Sequence, residues 1–211
     1  MVANGEQGTN DRSANELSML QQQIRQCRLC QQQGYIPVAH PIVSGRCTDR
    51  ILVIGQAPGH RSIEKDQPFS GPGGMVLQHW LEAAGFPPGY LHEHTYLSSL
   101  TRCDPGKHPN GNGDRKPGKP ELLLCRPYLE AELRIVHPKV VLLLGTMAIE
   151  AFFGPVKLAQ IIGKYQERDG LLLLPLPHPS GVSRWLNAPE HKKLHQQALM
   201  LLAHWRSLYT L

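Results

Sequence analysis

Apolar residues along this chain switch between two spacings. Leu17, Leu20, Ile24 and Cys27 recur at helical intervals, which predicts a helix over 15–30 capped by Asn15. Ile51-Leu-Val-Ile54 is instead an unbroken apolar run ended by Gly55, the pattern of a strand buried on both faces. Gly71-Pro-Gly-Gly74 opens a second helix with Val76, Leu77, Trp80, Leu81 and Ala84 on its apolar face, and Gly85 ends it. A strand follows over 95–100, then an amphipathic helix over 119–136 with Pro120 in its first turn and His137-Pro138 as its breaker. Val140–Leu144 is a second wholly apolar strand, 146–153 a short helix, 171–174 another strand, and 189–208 a closing helix. Strand and helix alternate throughout. The expected fold is therefore α/β, a single domain with a central parallel sheet flanked by helices on both faces. Ligands of such folds bind beyond the carboxyl ends of the strands. The loops after Ile54, Leu100 and Leu174 leave those ends with unusual chemistry.

Composition narrows the picture. The chain has 211 residues, 41% of them hydrophobic, enough for one full core. It contains no apolar run of the roughly 18 residues that a membrane span needs. Residues 1–16 are polar and lack the apolar stretch of a signal peptide, so a disordered tail, a domain over 17–211 and an intracellular setting are expected. A monomer is the default. The net charge of +5 permits a polyanionic partner, and Lys107, Arg115 and Lys116 concentrate positive charge in a Gly/Pro/Asn-rich loop.

The five cysteines are an odd number for a disulfide framework. Cys27 and Cys30 form a close pair, while Cys103 and Cys125 each adjoin an arginine at the edge of an expected element. Four such thiolates suit either a cubane iron–sulfur cluster or a tetrahedral zinc. Cys47 has no spaced partner and reads as a structural thiol.

Between these cysteines lies the Gly55-Gln-Ala-Pro-Gly59 turn, whose terminal glycines let the backbone approach a ligand closely. Phe69 sits in a polar, Gly/Pro-rich stretch where it offers a face for stacking a flat ligand. His178 follows a strand and precedes Pro179, which directs it toward the cleft at the sheet's end. Arg184-Trp185-Leu186 sets a cation beside two large apolar residues, the combination that wedges into a duplex.

Together these segments resemble the uracil-DNA glycosylase superfamily, and within it the iron–sulfur group called family 4. The resemblance spans roughly residues 17–205. It includes Cys27-x-x-Cys30, Gly55-Gln-Ala-Pro-Gly59, Pro68-Phe-Ser-Gly-Pro-Gly-Gly74, Tyr96-Leu-Ser-Ser-Leu-Thr-Arg-Cys103, Cys125-Arg-Pro-Tyr-Leu-Glu130 and His178-Pro-Ser180. It implies the superfamily's three-layer fold and a monofunctional DNA glycosylase that flips a damaged base out of the stack. It further implies Phe69 stacking on the base, Gln56 and Ala57 at its edge, Ser99 reading it, and His178 stabilising the departing anion. Ser180, Arg184, Trp185 and Leu186 would grip the DNA, helped by Lys107, Arg115 and Lys116. Cys27, Cys30, Cys103 and Cys125 would hold a structural 4Fe–4S cluster. The partner is DNA carrying a damaged or deaminated base, met in the cytoplasm at the nucleoid.

The chain departs from the family at telling points. Gln56 stands where family 4 has Glu, Ala57 where better-known uracil enzymes have Asp, and Ser99 where family 4 has Asn. The usual water-activating carboxylate is thus missing, with His60, Glu64 and Asp66 as weak substitutes. Ser99 suggests a relaxed base preference. A catalytically weak iron–sulfur protein that binds damaged or single-stranded DNA is the alternative, and a zinc-stabilised α/β protein with another substrate the third reading.

Overall fold

The computed structural model describes residues 3–108, 110, 113–180 and 183–211, with side chains described from residue 11 onward. Parts of two expected loops (109, 111, 112, 181 and 182) and the first two residues of the expected tail lie outside the described residues.

The apolar runs form the strands. β1 (Ile51–Gly55), β2 (Thr95–Ser99) and β3 (Val140–Leu144) are buried at every position. β4 (Gln166–Arg168) and β5 (Leu171–Leu176) complete a sheet of order β2-β1-β3-β5-β4. β1, β2, β3 and β5 pair in parallel. β4 joins β5 antiparallel as an edge strand. Its three exposed residues, Gln-Glu-Arg, carry no apolar alternation that would announce a strand. Because β4 stops short, Pro175 of β5 pairs with Leu143 while its other side has no ladder to interrupt.

Alternate strand residues face opposite layers. Val53, Leu97, Leu142 and Leu174 pack beneath α4 (Pro72–Ala83), α5 (Tyr90–Glu93) and α9 (Pro189–Tyr209). Ile54, Tyr96, Leu143 and Leu173 pack beneath α1 (Ala3–Gln26), α6 (Lys119–Val136) and α7 (Gly145–Phe153). Each Leu or Ile buried in this way contributes about 1.5–3 kcal/mol relative to exposure. Short helices α2 (Leu29–Gln32), α3 (His60–Glu64) and α8 (Leu158–Ile161) sit in the connections. No helix among the described residues is long and apolar enough to cross a membrane.

The first helix differs from expectation at both ends. It begins at Ala3, so Asn15 lies inside it rather than at its cap, and the segment read as a polar tail is helical from residue 3. Core contacts begin at Leu17. The helix ends at Gln26, which leaves Cys27 in the break and Cys30 on α2.

Near the middle of α9, His195 is buried against Trp80, with ring centroids 4.3 Å apart. Its Nε2 has no hydrogen-bond partner among the described residues, and burial pushes its pKa below the ordinary imidazole value. The unfolded chain therefore binds a proton that the folded chain refuses. Stability should be full above the ordinary imidazole pKa of about 6.5 and fall as pH drops below it. Melting temperatures between neutral and mildly acidic pH should show this fall, and His195→Leu should flatten it.

Candidate active site and cysteine centre

The ladder registers bring Ser99 beside Gly55, Ile54 beside Leu143, and Leu144 beside Leu176. The carboxyl ends of β2, β1, β3 and β5 thus form one row, roughly 15 Å long at the usual strand spacing. The chain leaves β1 toward β2 on one side and β3 lies on the other, so the topological switch point falls between β1 and β3. Gln56 follows β1 at that point, and Gly145 follows β3.

Two glycine contacts lock the aromatic of the first loop. Phe69 has φ +57°, in the left-handed region. A Cβ on Gly55 would lie 3.1 Å from the tip of its phenyl ring, so the ring lies over the end of β1. A Cβ on Gly74 would lie 1.6 Å from the Phe69 carbonyl oxygen. Only glycine at 74 lets α4 start beneath this turn. Gly74→Ala should force the Phe69 backbone out of place, costing about 1–3 kcal/mol. The checks are thermal melting and the affinity for a base-bearing oligonucleotide, and both should fall.

His178 enters from the other side of the switch point. A Cβ on Gly145, which has φ +78°, would lie 3.0 Å from its ring, and one on Gly73 would lie 3.8 Å from Pro179. The His178 loop therefore closes over β3 and against the start of α4. The Ser180 backbone N–H donates to His178 Nδ1 at 3.1 Å, and the Ser180 hydroxyl lies 2.9 Å from the same atom. Since a backbone N–H can only donate, Nδ1 is the acceptor and the neutral ring carries its proton on Nε2. The residue is solvent-accessible on one side, yet the protein packed around it desolvates the imidazolium and lowers its pKa. A neutral donor thus stands at the cleft.

Ser99 is buried at the end of β2, and its hydroxyl donates to the Thr101 carbonyl at 2.7 Å. Behind it lies a pair that sequence reasoning missed. Arg102 and Glu132 are both almost fully buried, with Nε–Oε1 at 3.2 Å and Nη2–Oε2 at 2.5 Å. Glu132 also accepts from the Ser98 hydroxyl at 2.7 Å, and Arg102 Nη1 donates to the Ser99 carbonyl. A signal was present: Glu132 stands in the buried stripe Cys125, Leu129, Val136 of α6, where a carboxylate needs a partner.

Arg102 also lines a small cavity with Cys27, Cys30, Cys103, Cys125 and Tyr128. The four thiols expected to act together therefore do converge. Burial pushes Cys30 up to about 11, with Cys125 as the next contributor. Burial likewise pushes Cys103 up to about 12, again with Cys125 next. Four mutually repelling thiolates need cationic metal to coexist, and an all-thiolate donor set suits an iron–sulfur cluster or a tetrahedral zinc. Among the described residues no three His, Cys, Asp or Glu side chains are gathered tightly enough for a single ion.

The remaining expected residues fall in two groups. Lys107 pairs with Asp114 at 2.7 Å across a small hairpin, and Lys116 is exposed nearby. Arg115 makes a two-pronged bond to Glu121 at 2.7 and 2.8 Å and another to the Tyr35 carbonyl, so it braces the loop internally. Burial alone would raise the Glu121 pKa, but the bonds from Arg115 and the Gly118 N–H outweigh it and hold it low. Arg184 is exposed, and Trp185–Asn187 is a 3-10 turn. Trp185 stacks flat on His191 at 4.1 Å, and Leu186 packs on the core. The suggested substitute carboxylates are engaged elsewhere: Glu64 with His60 at 3.3 Å, Asp66 with Arg25 and His40.

Residues 43–201, well over half of the chain, match the model of the uracil DNA glycosylase superfamily. A type-4 uracil-DNA glycosylase of Saccharolobus solfataricus is 25% identical, covering 86% of this chain and 83% of its own. That of Thermotoga maritima is 26% identical, covering 80% and 83%. That of Sulfurisphaera tokodaii is 23% identical, covering 79% and 75%.

Proposed function

The chain belongs to the uracil-DNA glycosylase superfamily, and on that premise we propose that it excises uracil or another deaminated base from DNA and leaves an abasic site. The observation that carries the reading is the neutral His178, with its Nε2 proton at the switch point opposite Phe69. A flipped base would stack on Phe69, with the backbone of Gln56 and Ala57 at its edge. As the glycosidic bond breaks, its electron pair leaves with the base. The His178 Nε2–H donates to the oxygen that gains this charge, a contribution of about 3–4 kcal/mol. Water supplies the new oxygen on the sugar, and its proton neutralises the departing base. Gln56 orients that water without deprotonating it, which suits a reaction driven by the leaving base and the reactive sugar cation. Ser180, Arg184 and the edge of the Trp185 turn meet the phosphate backbone, with Lys107 and Lys116 on the flanking hairpin. The work is done on chromosomal DNA in the cytoplasm by a monomer.

Cys27, Cys30, Cys103 and Cys125 would hold a 4Fe–4S cluster, which when bound supplies a cross-link between the amino-terminal helices and the hairpin. Protein purified anaerobically should show the broad visible charge-transfer band of iron–sulfide bonding. Cys125→Ser should lose both the band and iron; a colourless wild type holding zinc would sink the assignment.

Base release tests the function itself. Duplex and single-stranded oligonucleotides with one uracil should become alkali-labile at the uracil after incubation with the protein.

A further inference from the structure

Phe69 is held in a conformation that its own residue type disfavours. Its φ of +57° is one that a bulky L side chain keeps only where surrounding contacts enforce it. Gly55 and Gly74 make room for this turn. The Ser70 hydroxyl donates to the Gln67 carbonyl at 2.9 Å, a bond local to the loop. A further bond arrives from another element. His92, on α5, places its Nε2 3.0 Å from the carbonyl oxygen of Pro68, a buried residue directly before Phe69. A carbonyl can only accept, so the His92 ring carries a proton on Nε2 and is the donor.

The support behind His92 is firm. Its neighbour Leu91 is fully buried, and the Leu91 N–H donates to the Gln78 side chain of α4 at 3.0 Å. The Thr95 hydroxyl, at the start of β2, donates to the Leu91 carbonyl. The effect on Phe69 follows from peptide planarity. The Pro68 carbonyl lies in the same rigid plane as the Phe69 N–H, and rotation of that plane changes Phe69 φ. Fixing the oxygen therefore fixes the angle, and with it the direction of the phenyl ring. Resting on the glycosylase reading above, we propose that His92 is a positioning residue for base capture: its bond to Pro68 sets the Phe69 ring where a flipped base stacks. His92 acts through the backbone of the turn and not on the base itself. The bond is the same before and during bond breakage, so its loss should raise KM and leave kcat nearly unchanged.

Two measurements test this. The first needs no DNA. The backbone NMR shifts of Phe69 report its φ. They should leave their left-handed values in His92→Ala and keep them in His92→Gln, whose side-chain amide also donates. The second compares two single-stranded oligonucleotides by fluorescence anisotropy. One carries 2′-fluoroarabino uridine, which resists cleavage, and the other a tetrahydrofuran in place of the nucleoside, which has no base. The ratio of their affinities isolates what the base contributes. His92→Ala should lower the uridine-to-tetrahydrofuran ratio about fivefold, the scale of one hydrogen bond. His92→Gln should restore most of it. In a Phe69→Ala background, His92→Ala should lower it no further, because the brace then has no ring to aim. Unchanged Phe69 shifts or an unchanged ratio in His92→Ala would overturn the proposal, as would an equal loss with and without the Phe69 ring. Shifts and ratios that respond as stated, in a wild type that releases no base, would sink the glycosylase reading and leave the brace standing.

Discussion

Replacing His178 with Ala is expected to slow base release by about 10²–10³-fold while changing DNA affinity little. The reason lies in when the interaction is made. The intact base has only a carbonyl dipole for Nε2–H to meet, whereas the departing base carries a full negative charge. The donor therefore acts mainly on the transition state and its loss appears in kcat rather than KM. Its protonation state is set locally. With the Ser180 N–H occupying Nδ1, a second proton would have to displace that bond, and burial opposes the charge. The ring thus stays neutral below the pH at which an ordinary imidazole is half protonated, about 6.5. Single-turnover rates should pass through that pH without a break and fall only in more acidic buffer. An inflection at the ordinary histidine pKa would mean that the ring is not held as described.

Glu132→Ala is expected to be the most destabilising single change outside the apolar core, at about 3–5 kcal/mol. The substitution leaves the Arg102 guanidinium buried without its counter-charge and strands the Ser98 hydroxyl. The affected groups adjoin both Ser99 and Cys103, so the damage should reach both sites. Urea unfolding of the iron-loaded protein measures it, and the loss should far exceed that of Glu130→Ala, whose exposed pair with Arg126 has little to lose. Equal losses in the two variants would show that the buried pair is not the brace inferred from its geometry.

The contrast between what was legible and what was missed follows from the range of the forces. The strands announced themselves because β1 and β3 are buried on both faces and can hold nothing but apolar residues. The cysteines were legible because thiols are scarce and their spacing unusual, and the chain brings all four to one cavity. Arg102 and Glu132 stand 30 residues apart in sequence, and nothing local ties them together. The stacking of Trp185 on His191, in the first turn of the next helix, is visible only in the fold. Arg115 is legible as a cation, but its two-pronged bond to Glu121, also the partner of the Gly118 N–H at the start of α6, shows only in the fold. Gly74 read simply as part of a helix start, since its closeness to the Phe69 carbonyl depends on the left-handed turn at Phe69.

The central claim is catalytic, and base release tests it most directly. Iron-loaded protein would be incubated with oligonucleotides bearing a single uracil, hypoxanthine, xanthine or thymine opposite guanine, followed by alkali. The account predicts alkali-dependent cleavage at uracil and at the deaminated purines, abolished by His178→Ala. Intact strands for every lesion, with DNA binding retained, would contradict it and mark the chain as a binder of damaged DNA whose Gln56 and Ala57 no longer serve hydrolysis.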